Sequence, residues 1–168
     1  MFAAKSSGGF GLADPAELPP GEFIDRIRRC VEDKRSKIVV IDSLNGLMNS
    51  MSEERAITVQ LHELLSYLNQ VGVASFLVLA QYGLLGYAVS SPADTSYLAD
   101  NVALLRYFEA AGEVRQVLSV VKRRSGPHER SIRELSISHG KLSTGDLLKN
   151  FTGVLAGTPE DKGGQPLL

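Results

Sequence analysis

The sequence predicts an α/β fold in which a parallel βαβ unit is followed by antiparallel strands. Two apolar runs, at 38–41 and 73–79, are typical of strands covered on both faces. A helical pattern separates them, which favours a parallel arrangement of the two strands. Three further strand patterns follow residue 100. The chain has 168 residues, enough for one domain with a sizeable core.

Composition places the chain among globular proteins and argues against several partners. Hydrophobic residues make up 43% and charged residues 22% of the sequence. A net charge of -1 provides no overall field for nucleic acid or membrane binding. No apolar run approaches the ~20 residues of a membrane span. The single cysteine, Cys30, fits a reducing, cytoplasmic setting.

The first 21 residues predict an irregular segment, because glycines and prolines interrupt any periodic pattern. The stretch around Lys5 does not match a phosphate-binding loop. That motif, G-x-x-x-x-G-K-[ST], places glycines before the lysine, whereas here they follow it. The motif is absent from the rest of the 168 residues as well.

Two amphipathic helices are predicted, one on each side of the first apolar strand. The first covers 20–33, with apolar residues at helical spacing and a proline suited to its first turn. The second begins at a capping box of Ser50 and Glu53 and runs to Gln70. Gly72 follows it, as glycines commonly follow helices.

Asp42 ends the first apolar strand and is the first candidate site residue. Open α/β sheets bind ligands at the carboxyl ends of their strands, and Ser43 and Gln81 lie at corresponding positions. A carboxylate there could hold the Mg²⁺ of a nucleotide, or it could cap the following turn. Gln81 could orient water or contact phosphate, or it could make a loop hydrogen bond.

The second half of the chain predicts strands at 102–108, 114–121 and 132–137, the first two joined by a hairpin turn at 110–113. The loop at 82–96 is long enough to suggest function or mobility. Residues 143–168 predict a packed arm to about residue 155 and a flexible tail beyond it. We therefore expect one partial domain at 22–155 and a tail at 156–168.

A basic segment at 122–133 contains five cations and one acid. Lys122 and Arg124 alternate, so both are expected on one side of an extended chain. Such a pair suits a phosphate group. A solvated sheet edge and a nucleic-acid contact are the alternatives, although no aromatic residues are interleaved for base stacking.

Several stretches together resemble the KaiC-like ATPases of the RecA superfamily. These stretches are VVIDSL, GVASFLVLAQYGLLG, SYLADNVALLRYFEAAGEVRQVLSVVKRRSGPHERSIREL and NFTGVLAGTPE. The resemblance covers about residues 20–160. It implies a RecA-like P-loop NTPase core of which this chain is the C-terminal half, without the phosphate-loop strand.

The resemblance also implies a homo-oligomeric ring, commonly a hexamer, with ATP and Mg²⁺ held between neighbours. Asp42 would take the Walker B role. The segment that reaches the neighbour's ATP matches Lys122, Arg123, Arg124, Gly126, His128 and Arg130. Among these, Lys122 and Arg124 would meet the γ-phosphate, where charge grows in the transition state.

The sequence departs from the family pattern in two ways. The phosphate loop and the glutamates that follow it in the family would lie before residue 1, so we expect the 168-residue chain alone to hydrolyse no ATP. Loss of that strand would leave an edge that pairs with another copy or a partner. Ser96 keeps the hydroxyl of the clock protein's phosphoacceptor pair, but Tyr97 replaces a threonine, which argues against autokinase activity.

Three functional hypotheses follow from these observations. The first is half of a KaiC-like ATPase domain acting in signalling or clock-like regulation. The second is a regulatory protein-interaction module that lacks the phosphate loop and binds signalling partners. The third is a DNA-binding recombinase-like protein, which the net charge disfavours. The coding sequence upstream of Met1 distinguishes the first two hypotheses.

Overall fold

The computed structural model describes residues 2–6, 9–13, 18–49, 54–80 and 96–163. The chain forms two compact units, Met1–Ala80 and Gln81–Leu168. The predicted capping box at 50–53, Gln81 and most of the loop at 82–96 lie outside the described residues.

The first unit contains the predicted βαβ arrangement. Its sheet has the order β2-β1-β3-β4, with β3 at Ile38–Asp42 and β4 at Ala74–Val78. These two strands are parallel, with Ile38 opposite Ala74 and Asp42 opposite Val78. Three helices accompany the sheet: α1 at Pro20–Glu32, α2 at Leu44–Asn49 and α3 at Glu54–Gln70.

Helical spacing places the core of this unit where the sequence predicts it. Phe23 and Ile27 of α1 and Leu64 and Leu68 of α3 are fully buried. The prediction that both strands are covered on both faces is wrong. In β3 only alternate residues are buried, and Phe76 in the edge strand β4 is 56% exposed. Apolar character predicted these strands, but it did not reveal how many neighbours cover them.

The sequence predicts an irregular segment at 1–21, but the structure has two strands there. Strands β1 at Phe2–Ser6 and β2 at Gly9–Ala13 form an antiparallel hairpin. Strand β1 also pairs antiparallel with β3, placing Ala3 opposite Val40. The backbone hydrogen bonds of β3 provide a template that outweighs the weak strand preference of a glycine-rich sequence.

The second unit is built on an antiparallel sheet with the order β5-β6-β7-β8. Its strands are β5 at Asn101–Ala110, β6 at Glu113–Arg123, β7 at Arg133–Ser138 and β8 at Lys141–Leu147. The three predicted strands are confirmed, and β8 was not predicted. Two-residue turns with positive φ at both positions join β5 to β6 (Ala111, Gly112) and β7 to β8 (His139, Gly140).

A small core lies against one face of this sheet. Phe108, Ala110 and Val117 are buried with Val154, and Phe151 meets Phe108 edge-on at 5.4 Å between ring centroids. In the predicted arm, residues 148–155 therefore contact this core, whereas residues 143–147 belong to an exposed strand. Beyond it, β10 at Glu160–Asp161 pairs with β9 at Phe151–Thr152, so the predicted flexible tail begins with ordered chain. Within the described ranges, no helix is both long and apolar enough to span a bilayer.

Candidate functional site

Asp42 lies at the carboxyl end of β3, where the parallel pair with β4 ends. Its side chain is exposed, whereas Ile41 before it is fully buried. Ser43 is half-buried, and its carbonyl accepts a hydrogen bond from Gly46 at 3.1 Å as α2 begins. The carboxylate is thus presented at the rim of the sheet on which ligands bind in open α/β folds.

Asn45 fixes the geometry of this rim, a role that the sequence analysis missed. Its side-chain amide donates to the carbonyl of Ala80 at 3.0 Å and accepts from the Ala80 N–H at 2.8 Å. The two hydrogen bonds tie the start of α2 to the chain just after β4. The sequence shows only an asparagine three residues after the strand's aspartate, and the fold is needed to show that it is buried against Ala80.

Lys122, near the end of β6, and Arg124, just after it, converge on one short turn. The register of β5 and β6 shifts between Val102 and Ala103. Lys122 lies opposite Val102, and Val121 is the extra residue of a β-bulge. Bulges redirect the side chains next to them. Lys122 Nζ donates to the Ser96 carbonyl at 2.7 Å, and Arg124 Nη2 donates to the Tyr97 carbonyl at 2.9 Å.

The turn that receives these cations is the 3₁₀ segment Ser96–Leu98, and Asp100 follows it. Arg124 makes two further contacts there. Its Nε lies 3.0 Å from Asp100 Oδ1, and its backbone N–H donates to the Asp100 carbonyl at 2.7 Å. We name Ser96–Leu98, Asp100, Lys122 and Arg124 together the cation turn.

The other predicted residues of the basic segment differ in their surroundings. Arg123 is exposed and donates to the Pro127 carbonyl at 3.1 Å, which closes a loop that includes Gly126 at φ +77°. His128 is half-buried, and its Nε2 is shielded without a hydrogen-bond partner among the described residues. Arg130 is exposed. Among these residues Arg123 closes the loop through its side chain, while the contacts to the turn come from Lys122 and Arg124.

Arg133 forms an ion pair with Glu129 of the same segment. Its Nε donates to Glu129 Oε1 at 2.8 Å, and Ser131 also donates to that carboxylate. The hydrogen bonds from Ser131 and then Arg133 lower the pKa of Glu129 below its usual value, so this acid is ionised at neutral pH. The positive charge of Arg133 is therefore balanced locally, which leaves it out of any cluster around Lys122.

A family model described as "ATPase: KaiC" matches residues 12–145 of this chain. This chain belongs to the KaiC ATPase family. A relative, the circadian clock protein KaiC3 of Synechocystis sp., is 33% identical over 77% of this chain and 25% of its own length. The circadian clock oscillator protein KaiC of Thermosynechococcus vestitus is 27% identical over 82% of this chain and 26% of its own. The chain thus spans about a quarter of the length of these KaiC relatives.

A solved structure supports the fold assignment. The KaiC-like protein of the hyperthermophilic archaeon Pyrococcus horikoshii OT3 superimposes with a TM-score of 0.64 at 23% identity. The match covers 77% of this chain and 58% of that KaiC-like protein. The parallel strands and the antiparallel sheet described above therefore form part of a RecA-like KaiC domain.

Proposed function

We propose that this chain supplies two components of a KaiC-like ATP site: the Walker B acid, Asp42, and the phosphate-contacting cations, Lys122 and Arg124. The observation that carries the proposal is the position of Asp42 in a KaiC-family chain. Its exposed carboxylate ends a parallel strand on the rim that Asn45 holds in place. ATP-dependent signalling or clock-like regulation is the function to which these parts would contribute.

The residues at this rim fit a nucleotide-bound Mg²⁺. In the described parts of the chain, no three His, Cys, Asp or Glu side chains cluster as a metal cage. A single carboxylate suits Mg²⁺, which is usually held by one or two carboxylates, water and substrate phosphates. When bound, the metal would neutralise charge on the phosphate oxygens. Asp42 would hold it, and Ser43 and Gln81 would line the same rim.

Lys122 and Arg124 would act on the ATP of a neighbouring subunit. A ring uses heterologous interfaces, so each site receives its acid from one subunit and its cations from the next. Charge on the γ-phosphoryl oxygens grows during transfer, and a guanidinium and an ammonium placed there stabilise the transition state more than the bound substrate. Arg123, Gly126, His128 and Arg130 would shape the loop that carries the two cations.

Mixing subunits tests this division of labour. The 168 residues would be fused behind the phosphate-loop half of a KaiC relative's domain, and Asp42→Asn and Arg124→Ala subunits assembled separately and together. Each pure ring should lose most of its ATP turnover. In an equal mixture about one site in four receives both native residues from different subunits, so turnover should recover to about that fraction.

Asp25→Asn is the matched control, because Asp25 is an exposed acid on α1, away from the end of β3. It should leave turnover at the parental level. A mixed ring as inactive as the two pure rings would show that both residues serve the same subunit. Full turnover in the Asp42→Asn ring would show that Asp42 does not take the Walker B role.

A regulatory interaction module is the second candidate function. It is favoured by the exposed apolar strand β4, where Phe76 is 56% and Val78 is 42% exposed, and by the absence of a phosphate-loop motif from the 168 residues. An in-frame phosphate-loop motif in the coding sequence upstream of Met1 would support the ATPase. A start site at Met1 would support the module.

A further inference from the structure

The two cations proposed to contact phosphate already hold oxygen atoms of their own chain. Lys122 and Arg124 donate to the carbonyls of Ser96 and Tyr97, and Arg124 also meets the carboxylate of Asp100. Carbonyl and carboxylate oxygens present the same kind of acceptor as a phosphate group. Such contacts either use up the N–H donors of Arg124 or hold the guanidinium in one orientation.

The contacts leave Arg124 with unused donors. A guanidinium has five N–H donors in a rigid planar fork. The contact with Asp100 uses the Nε edge and the contact with Tyr97 uses one donor of Nη2. Three N–H groups remain, enough for a bidentate phosphate contact. The Arg124 side chain is also 59% exposed, so these donors are accessible.

The backbone supports the same geometry. The Arg124 N–H donates to the Asp100 carbonyl at 2.7 Å, so the main chains of the two residues are joined as well as their side chains. An exposed ion pair alone contributes little, because water screens it and two side chains must be ordered. Here the main chains that carry the two side chains are held together by the backbone hydrogen bond and by the strand pairing of Asn101 with Arg123.

We infer that Asp100 is a positioning residue for Arg124: its carboxylate fixes the Nε edge of the guanidinium, so that the remaining N–H groups face outward for an incoming phosphate. The inference rests on the proposed function of Arg124. Asp100 itself touches no phosphate. Its effect is to reduce the number of orientations that Arg124 loses when the transition state forms, which favours a loss of kcat over a rise in KM when Asp100 is removed.

Two substitutions of equal charge isolate this role. Asp100→Asn and Asp100→Ala both remove the negative charge, but only asparagine keeps an oxygen that accepts from Nε. In the fused ring described above, Asp100→Ala should lower kcat about tenfold with KM changed less than about threefold. Asp100→Asn should retain kcat within about threefold of the parent. Asp146→Ala, an exposed acid on β8, is the control and should leave both constants unchanged.

A spectroscopic readout on the 168-residue chain needs no nucleotide. The Nε–H of Arg124, followed by its ¹H–¹⁵N signal, should exchange with solvent more slowly in the parent and in Asp100→Asn than in Asp100→Ala. Arg124→Lys, which has no Nε fork, should lower kcat to the level of Asp100→Ala. Because that variant loses the fork whether or not Asp100 orients it, Asp100→Leu, which has about the size of asparagine and no oxygen acceptor, is the second test should Asp100→Ala fail to fold.

The outcomes separate the two proposals. Equal behaviour of Asp100→Ala and Asp100→Asn, or an unchanged Nε signal in Asp100→Ala, would overturn the role of Asp100 alone. Full turnover in Arg124→Ala would overturn the proposed function, and the inference with it. If the inference holds, Asp100→Ala should add nothing to Arg124→Ala, because both remove the same oriented guanidinium.

Discussion

A side-chain amide carries both an N–H donor group and a carbonyl acceptor, as a peptide group does, so it can pair with both backbone groups of one residue. Asn45 uses both groups on Ala80, at 3.0 and 2.8 Å, and is only 8% exposed. The backbone just after β4 is thereby held to the helix that begins after Asp42. At the scale of single residues, this amide determines how the strand ends are spaced around the candidate Mg²⁺ ligand.

Asn45→Ala should lower the free energy of unfolding by about 1–3 kcal/mol, because the backbone groups of Ala80 lose their partners. Asn45→Asp should cost at least as much, since a carboxylate cannot donate to the Ala80 carbonyl. Urea unfolding followed by far-ultraviolet circular dichroism measures both, and suits a chain without tryptophan. Asn69→Ala, on an exposed position of α3, is the control. Equal losses of unfolding free energy in Asn45→Ala and Asn69→Ala would show that the hydrogen bonds between Asn45 and Ala80 do not stabilise the fold.

The environment of Tyr67 predicts that the free energy of unfolding depends on pH. Its hydroxyl donates to Glu32 Oε1 at 2.9 Å, and Arg28 lies 5.6 Å from its ring centroid. Desolvation, followed by the hydrogen bond and charge of Glu32, raises the pKa of Tyr67 above its usual 10.0, while Arg28 opposes the shift. A raised folded-state pKa gives stabilisation that is complete below the unfolded-state pKa and is lost as pH rises through the folded-state value.

The unfolding free energy of the parent should therefore fall more steeply above about pH 10 than that of Tyr67→Phe. Urea unfolding at pH 8, 9.5 and 11 compares the two proteins, which share the other four tyrosines. Parallel pH profiles would show that the phenol of Tyr67 titrates in the folded chain as it does in the unfolded one.

At the scale of elements, periodicity was enough to predict most of the regular structure. The helix at 20–33 and the parallel strand pair follow from residue spacing, and α1 ends within one residue of the prediction. Strand β8 was missed because all of its residues are exposed, so no alternation of apolar and polar residues marks it. Its signal was the two-residue turn His139–Gly140, which adopts positive φ at both positions.

Strand β4 combines an edge position with exposed apolar side chains. Among the described strands it pairs with β3 alone, and Phe76 is 56% exposed. Such an edge favours pairing with another chain. Phe76→Lys should therefore weaken concentration-dependent self-association, measured by sedimentation velocity, while lowering the unfolding free energy by less than about 1 kcal/mol.

Val59→Lys is a matched control for this edge. Val59 is 58% exposed, close to the value for Phe76, but it lies on the helix α3. The control should associate like the parent. If both lysine substitutions reduce association equally, added charge accounts for the change and the strand edge does not.

At the scale of the whole molecule, the sequence pointed to candidate site residues more readily than to the contacts around them. Asp42, Lys122 and Arg124 stand out as candidates, because a strand-terminal acid and a cation pair fall within stretches that resemble KaiC. The contacts of Asn45 and Asp100 could not be predicted, since each joins residues distant in the chain, Ala80 and Arg124. Only folded contacts reveal such roles. The cytoplasmic setting, the hexameric ring and phosphorylation at Ser96 stay predictions.

The last prediction concerns catalysis by the 168 residues as they stand. Phosphoryl transfer depends on positioning and charge stabilisation of the triphosphate. Under the proposed function, Asp42 and the cation turn would provide part of this, but the backbone N–H groups and lysine of a phosphate loop have no counterpart motif in the sequence. We therefore expect no ATP hydrolysis by the purified chain, measured as phosphate release with Mg·ATP.

Asp42→Asn, prepared in parallel, controls for contaminating ATPases. Turnover that the parent shows and Asp42→Asn lacks would mean that this half-domain binds Mg·ATP without a phosphate loop.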